Sequence, residues 1–223
     1  PSWSSLGLIT ASHEIFAHGA DGGIRSIATL SSAGSWTANN TALFSNGPSL
    51  FAFYGRSAAG DSGTTYDLLY SELELMADGG AGRVRDVLVQ AQARTGVSSS
   101  APEAVRVENH PLLGGQPGFG VLTVEVGPNV PLHWQLRVVA SVGRVVHEES
   151  IDAPIFAEEH KALAWSAHTR QFVMARRCGS GNDVGICTYT SAAVPNSPPV
   201  MTRFIRTCSL SLPKLANDGT QVG

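Results

Sequence analysis

Residues 121–147, VLTVEVGPNVPLHWQLRVVASVGRVVH, decide the fold class that this sequence predicts. In the second half of this stretch, two sets of residues alternate. The apolar set is Leu132, Trp134, Leu136, Val138, Ala140 and Val142. The other set is His133, Gln135, Arg137, Val139 and Ser141. A period of two is typical of a half-buried strand, whereas a helix repeats its apolar positions every three or four residues. We therefore expect a long antiparallel strand with one buried face and one face in water.

A turn separates this strand from an earlier one, in which Leu122 and Val124 alternate with Thr123. Pro128 and Pro131 bracket the turn, and they suit a connection because proline has no amide hydrogen to donate to a neighbouring strand. An antiparallel sheet with one apolar face needs a second layer to cover that face. The stretch therefore predicts a β-hairpin inside a layered β structure.

The rest of the chain repeats this pattern of short strands separated by Gly, Pro and Ser. About ten such segments predict an all-β, mainly antiparallel fold: a β-sandwich or jelly roll, or a closed barrel. Residues 157–165, AEEHKALAW, predict one short helix, since they are good helix formers with acidic residues at the start. Residues 65–76 fit a strand or a helix. Residues 45–48, Ser-Asn-Gly-Pro, predict a hairpin with a loop longer than two residues.

Length and composition predict one globular domain. The chain has 223 residues, 43% hydrophobic and 15% charged, with a net charge of −3. We expect a single β-rich domain over residues 1–223, with a surface linker at 95–103. The net charge does not indicate nucleic acid, and no apolar run is long enough to span a membrane. The chain begins with Pro1 and lacks a signal-peptide pattern, so we expect a processed product or an excised piece.

The three cysteines do not form the even set that predicts a disulfide framework. Cys178 and Cys187 flank the loop-like residues 179–186, so a bridge between them across a hairpin is one alternative. We favour the other alternative, free thiols that are buried or partly buried.

One short motif resembles an enzyme motif. Residues 60–63, GDSG, resemble the nucleophile loop of chymotrypsin-like serine proteases. In that family a histidine and an aspartate precede the serine, and here only His13 and His18 do, with Asp21 close behind them. This leaves no room for the first barrel of that fold, and we expect an ordinary loop.

Histidines and acids occur close together at three places. Residues 13–18, HEIFAH, have the histidines five apart, whereas a zinc-binding helix needs them four apart to share one face. Residues 147–149 (HEE) and 158–160 (EEH) place the groups on adjacent positions, which point in different directions on a strand or a helix. We expect a solvated loop and a solvated helix face there, and predict no catalytic residues, no metal site and no cofactor.

Because the sequence shows no set of residues spaced for catalysis, it favours a structural or recognition module. We expect a subunit of a homo- or hetero-oligomeric assembly, such as a viral capsid protein or its projecting domain that binds a cell-surface receptor or glycan. Its location would be the virion or another extracellular assembly, with the cytoplasm as second choice. Function is expected in loops 31–41, 56–65, 95–103 and 178–187. The predicted partner-contact residues are Trp36, Asn39, Arg56, Asp61, Arg176, Arg177 and Asp183.

Two other functions remain open. The first is a hydrolase whose site is built from carboxylates and histidines on separate loops, with the candidates His13, Glu14, Asp61, Glu158 and His160. The second is a carbohydrate-binding β-sandwich, in which Trp3, Trp36 or Tyr54 would stack on sugar rings.

Overall fold

The computed structural model describes residues 14–18, 23–29, 41–46, 49–60, 63–76, 81–92, 98–99, 102–127, 130–152, 161–180 and 183–206. These residues form antiparallel strands and one 3-10 turn, Pro111–Leu113. The strands are β1 Glu14–His18, β2 Ile24–Thr29, β3 Thr41–Asn46, β4 Ser49–Gly60, β5 Gly63–Leu75, β6 Ala81–Gln92, β7 Ser98–Ser99, β8 Glu103–Val107, β9 Gly118–Gly127, β10 Val130–Ala140, β11 Val145–Asp152, β12 Lys161–Ser166, β13 Gln171–Ser180, β14 Asp183–Ser191 and β15 Val200–Arg206. The all-β, antiparallel prediction is confirmed.

The chain divides into two compact units, Pro1–Val97 and Ser98–Gly223. The boundary falls inside the surface linker predicted at 95–103. Whether the two units make up one domain, as predicted for 1–223, stays a prediction.

The N-terminal unit contains a two-stranded sheet, β1-β2, and a four-stranded sheet in the order β3-β4-β5-β6. Burial changes steeply across the four-stranded sheet. In β4 the five successive residues 50–54 are all buried, so both faces of that strand are covered. In β6 most residues from 83 to 88 are exposed. The segment that fitted either a strand or a helix is strand β5, which lies between these two.

Four hairpins among the described strands have connections of only two residues. The pairing continues to Asn46 opposite Ser49, to Gly60 opposite Gly63, to Gly127 opposite Val130, and to Ser180 opposite Asp183. The prediction of a longer loop after residue 46 is therefore wrong. The loops predicted at 56–65 and 178–187 are likewise strands, except for the connecting residues 61–62 and 181–182, which lie outside the described residues. Cross-strand pairing overrides the low strand propensity of Gly, Ala and Ser in these segments.

The C-terminal unit is a sandwich of two sheets around one core. The first sheet has the order β11-β10-β9-β7, and β8 pairs with the same side of β9 as β7 does. The second sheet has the order β12-β13-β14-β15. Both sheets and two loops contribute to the core, which consists of Val107, Leu113, Leu122, Trp134, Leu136, Val138, Ile151, Trp165, Phe172, Met174 and Ala193.

The hairpin predicted over residues 121–147 is present as β9 and β10, and the apolar face of β10 is in the core. The prediction of a water-facing second face is wrong, since Gln135, Arg137 and Val139 are also buried. Val142 was assigned to the buried set, but β10 ends at Ala140 and Val142 is exposed in the turn before β11. Alternation identifies which residues share a face, but it does not say whether anything covers the polar one.

Two further predictions are wrong. Residues 161–165 do not continue a helix from 157: they lie in β12, which pairs with β13 over its full length, and residues 157–160 lie outside the described residues. The closed barrel is also absent among the described strands, since each sheet has end strands that pair on one side. In the helix segment, a partner strand supplies the hydrogen bonds that a helix would make internally, and tertiary pairing outweighs propensity.

Candidate functional site

Two of the predicted partner-contact residues belong to the β4–β5 hairpin. Arg56 lies in β4, at the position that faces Asp67 of β5. Asp61 is one of the two residues that connect the strands, and it lies outside the described residues, as do Trp36 and Asn39. The structure therefore locates only Arg56 among these four, and their roles stay predictions.

The other three predicted residues belong to the β13–β14 hairpin. Arg176 faces Cys187, and Arg177 faces Ile186. Because successive positions of a strand belong to opposite faces, the two arginines do not share one face. Asp183 is the first residue of β14 and faces Ser180, three pairs beyond the pair of Arg177 with Ile186. The hairpin therefore keeps these residues on one element without joining them into one site.

Both hairpins extend beyond the strands that flank them. Residues 57–60 and 63–65 are paired on one side only among the described strands, because β3 stops opposite Tyr54 and β6 stops opposite Tyr66. The same is true of residues 177–180 and 183–184, because β12 stops opposite Arg176 and β15 stops opposite Gly185. We call these two segments the hairpin tips. They are rich in Gly, Ser, Ala and Thr, which allow a partner's backbone to come close.

A second candidate contact surface is an apolar edge in the N-terminal unit. Among the described strands, β6 pairs only with β5, so it is an end strand of its sheet. Val84 and Leu88 of β6 are 54% and 50% exposed, and Met76, which follows β5, is 52% exposed. We call Met76, Val84 and Leu88 the β6 edge.

The charges around the β6 edge already have partners within the unit. Arg85 Nε contacts Glu72 Oε2 at 2.6 Å, and Arg83 Nη1 contacts Asp86 Oδ2 at 3.2 Å. The edge is also irregular, because the pairing of β5 with β6 shifts register next to Val84 and again further along. Charges and bulges of this kind restrict which strands can add to an edge. The β6 edge therefore combines exposed apolar side chains with features that limit non-specific pairing.

Tyr54, a candidate for sugar stacking, is buried and cannot serve as an exposed platform. Its hydroxyl lies 3.2 Å from Ser71 Oγ, and Ser71 Oγ donates to Asp86 Oδ1 at 2.6 Å. On the other face, burial raises the pKa of Tyr70, an effect that Arg85 opposes and Glu72 reinforces. Both tyrosines are part of the packing of the four-stranded sheet, and neither offers a ligand site.

The buried polar face of β10 is organised around Arg137, whose side chain is 2% exposed. Its Nε donates to Glu148 Oε2 at 2.8 Å and its Nη1 donates to Thr123 Oγ1 at 2.6 Å. These bonds run to both neighbouring strands, since Thr123 lies in β9 and Glu148 in β11. The arginine therefore ties three strands together. Sequence reasoning missed it because the same alternation is expected of an exposed arginine.

A buried histidine connects the two sheets of the C-terminal unit. The Leu112 amide donates to His110 Nδ1 at 3.2 Å, so Nδ1 carries no hydrogen. The other ring nitrogen, Nε2, donates to the Ala192 carbonyl at 3.0 Å. The ring is packed against Trp165 and Phe172, with centroid distances of 5.4 and 6.1 Å. Burial lowers the pKa of His110; the bond to Ala192 opposes this effect and the neighbouring His147 adds to it.

Residues 147–149 are not the solvated loop that was predicted. They lie in β11, where the side chains of His147 and Glu149 are only 14% and 11% exposed and are joined at 3.5 Å between Nε2 and Oε2. Glu149 Oε1 is buried without a hydrogen-bond partner. Glu148 points to the opposite face, toward Arg137, so adjacent residues diverge as predicted. A pair of two groups on one strand is too small a set of ligands for a metal ion.

No group of three or more metal-ligating side chains exists among the residues that the structure describes. Of the hydrolase candidates, Glu14 lies in β1, while His13, Asp61, Glu158 and His160 lie outside the described ranges. Cys187 is disulfide-bonded, so the free-thiol prediction is wrong for this residue. Its partner is one of the other two cysteines of the chain, Cys178 or Cys208.

The chain matches no protein-family model, no curated protein and no solved structure. Within the described part of the chain, no helix has the length and apolar character needed to cross a membrane.

Proposed function

We propose that this protein is a structural and recognition module, a subunit of a larger protein assembly such as a viral capsid protein or its projecting receptor-binding domain. The β6 edge is the observation that carries this proposal. Single exposed apolar residues are ordinary on protein surfaces. Here Val84 and Leu88 are exposed on an end strand, whose outer backbone groups can pair with another chain.

The energetics favour burial of this edge in an assembly. Moving apolar surface out of water contributes about 25 cal/mol per Å². The nearby ion pairs of Arg83 and Arg85 are made within the unit, so a partner need not supply a counter-charge. An assembly contact at this edge would then rest mainly on apolar burial and strand pairing.

The hairpin tips are the proposed contact with a receptor or glycan. Two of the predicted partner-contact residues, Arg177 and Asp183, lie in one tip, and a third, Arg56, directly precedes the other. The disulfide at Cys187 supports an extracellular location, because disulfides persist mainly in oxidising environments.

The molar mass of the protein in solution, measured by light scattering from dilute to concentrated samples, tests the assembly. We expect self-association, and we expect Leu88→Lys to weaken it roughly tenfold, equivalent to about 1.4 kcal/mol, by placing a charge in the contact. Val142→Lys is the matched control, because Val142 is 69% exposed but lies in a turn rather than on an end strand. A protein that stays monomeric at every concentration contradicts the proposal.

A further inference from the structure

We propose that His110 is an acid-sensitive lock between the two sheets of the C-terminal unit, closed when its ring is neutral and released when the ring is protonated. The proposal concerns the stability of this unit and does not depend on the assembly function.

The hydrogen bonds of His110 require a neutral ring. A neutral imidazole has one donor and one acceptor nitrogen, and both are used: Nδ1 accepts from the Leu112 amide and Nε2 donates to the Ala192 carbonyl. Protonation places a hydrogen on Nδ1, which then faces the Leu112 N–H as a second donor. His110 is almost fully buried, so water cannot replace the lost bond without an opening of the structure.

The ring joins segments that belong to different sheets. Leu112 is in the 3-10 turn that follows β8 in the first sheet, and Ala192 follows β14 in the second. The next residue, Ala193, has φ +48°, a left-handed conformation that is unfavourable for alanine. The Ala193 amide donates to Ser191 Oγ at 2.9 Å. The Nε2 bond to Ala192 and this bond together hold a strained segment in place. A protonated ring keeps its Nε2–H, so the bond to Ala192 is lost only when the charged ring, whose Nδ1–H now opposes the Leu112 N–H, leaves its buried site for water.

Titratable neighbours affect His110 less than its burial does. On β11, His147, which contacts Glu149, opposes a charge on His110. Glu108, two residues before His110, is paired with Arg106 and largely exposed. From β12 and β13 the ring meets Trp165 and Phe172, which do not titrate. Removal from water is therefore the largest influence, and it disfavours the protonated ring.

The direction of the pH effect follows from the lowered pKa. Because the folded protein holds this proton less tightly than the unfolded chain, His110 contributes its stability above the unfolded value of about 6.5. That stability is lost as the pH falls from about 6.5 through the folded pKa. For one proton, the folding equilibrium constant changes by up to tenfold per pH unit in this window.

NMR of the histidine rings in the full chain tests the lock directly. At pH 7.5 we expect the hydrogen of His110 on Nε2, and on acidification a titration midpoint below 6.5. Over the same pH range, the amides of Leu112 and Ala193 should lose protection from hydrogen exchange after correction for the intrinsic rate. A midpoint at or above 6.5, or unchanged protection of both amides, overturns the proposal.

A pair of variants separates the lock from a general packing role. His110→Asn keeps an acceptor for the Leu112 amide but cannot titrate. As the pH falls below about 6.5, the unfolding equilibrium constant of the unmodified protein should rise by up to tenfold more per pH unit than that of His110→Asn. His168→Asn is the control, because His168 is exposed in the turn between β12 and β13, and it should keep the full pH dependence. Equal pH slopes in all three proteins contradict the lock; if His110→Asn does not fold, the NMR titration decides.

Discussion

At Gly120 the lack of a side chain allows the two sheets of the C-terminal unit to approach closely. A Cβ atom at this position would lie 2.1 Å from Cε1 and 2.8 Å from Cζ of Phe172. The Phe172 ring is fully buried in the core. Alternation along β9 assigns residue 120 to the core face, but it cannot show that an aromatic ring from the other sheet occupies the space above it.

Gly120→Ala should therefore destabilise the C-terminal unit by about 1–3 kcal/mol, the usual cost of overpacking a core. Denaturant unfolding followed by tryptophan fluorescence measures this change. Gly82→Ala is the control, since its added Cβ would meet only Met76, with Sδ at 3.4 Å, which is an ordinary contact. Equal effects of the two substitutions would contradict the close approach at Gly120.

The residues of interest differ in how far the sequence could predict them. Trp134 was assigned to the core from its place in the alternation, and it is fully buried. Arg137 occupies the opposite face of the same strand. Its burial depends on other parts of the chain that pack over this face, and the alternation within the strand does not specify them. The predicted partner contacts Trp36, Asn39 and Asp61 lie outside the described residues, so they stay predictions.

Among the elements, strands β10 and β11 are joined by an ion pair between Arg137 and Glu148 in addition to their backbone pairing. Removal of the Glu148 carboxylate would take one partner from the buried Arg137 guanidinium and leave its hydrogen bond to Thr123 Oγ1. Loss of one partner of a buried charge costs more than loss of a surface pair. The partial exposure of Glu148 reduces the cost, because water can reach the site.

Glu148→Ala should accordingly lower the free energy of unfolding by about 1–2 kcal/mol, with little dependence on salt. Glu108→Ala, which removes the more exposed pair with Arg106, should change it by less than about 0.5 kcal/mol. Urea titrations of both variants at low and high salt compare the two pairs. A larger loss in Glu108→Ala would show that Arg137 does not need Glu148.

The elements also show where prediction from sequence stops. Alternation of apolar and polar residues located β9 and β10, because a strand whose two faces have different environments shows a period of two in the sequence. Residues 161–165 carry helix-forming residues and yet form β12, because the decisive interaction is pairing with β13. The small-residue hairpin tips have no such period, which is why they were predicted to be loops.

For the molecule as a whole, the boundary between the two compact units, Pro1–Val97 and Ser98–Gly223, lies between residues 97 and 98. Backbone near such a boundary is held by fewer contacts than backbone inside a sheet. Arg94 is the basic residue closest to the boundary on its N-terminal side.

Limited trypsin digestion of the folded protein should therefore cut first after Arg94 and give a C-terminal fragment that begins at Thr95. Arg83 and Arg85 are built-in controls, because they lie in β6 within a paired strand and should be cut later. Mass spectrometry of the first fragments identifies the site. Initial cleavage within β6 or β10 would contradict the assignment of the boundary.

The strand orders β3-β4-β5-β6 and β12-β13-β14-β15 follow the order of the chain. Each new strand of these sheets therefore has its partner in the segment made just before it, and its pairing needs no segment that has yet to be translated. Short separations in sequence between paired strands favour rapid folding and shorten the time during which an apolar edge is open to other chains. Because the strands pair in the order of the chain, each of these two sheets can form while the protein is still being synthesised.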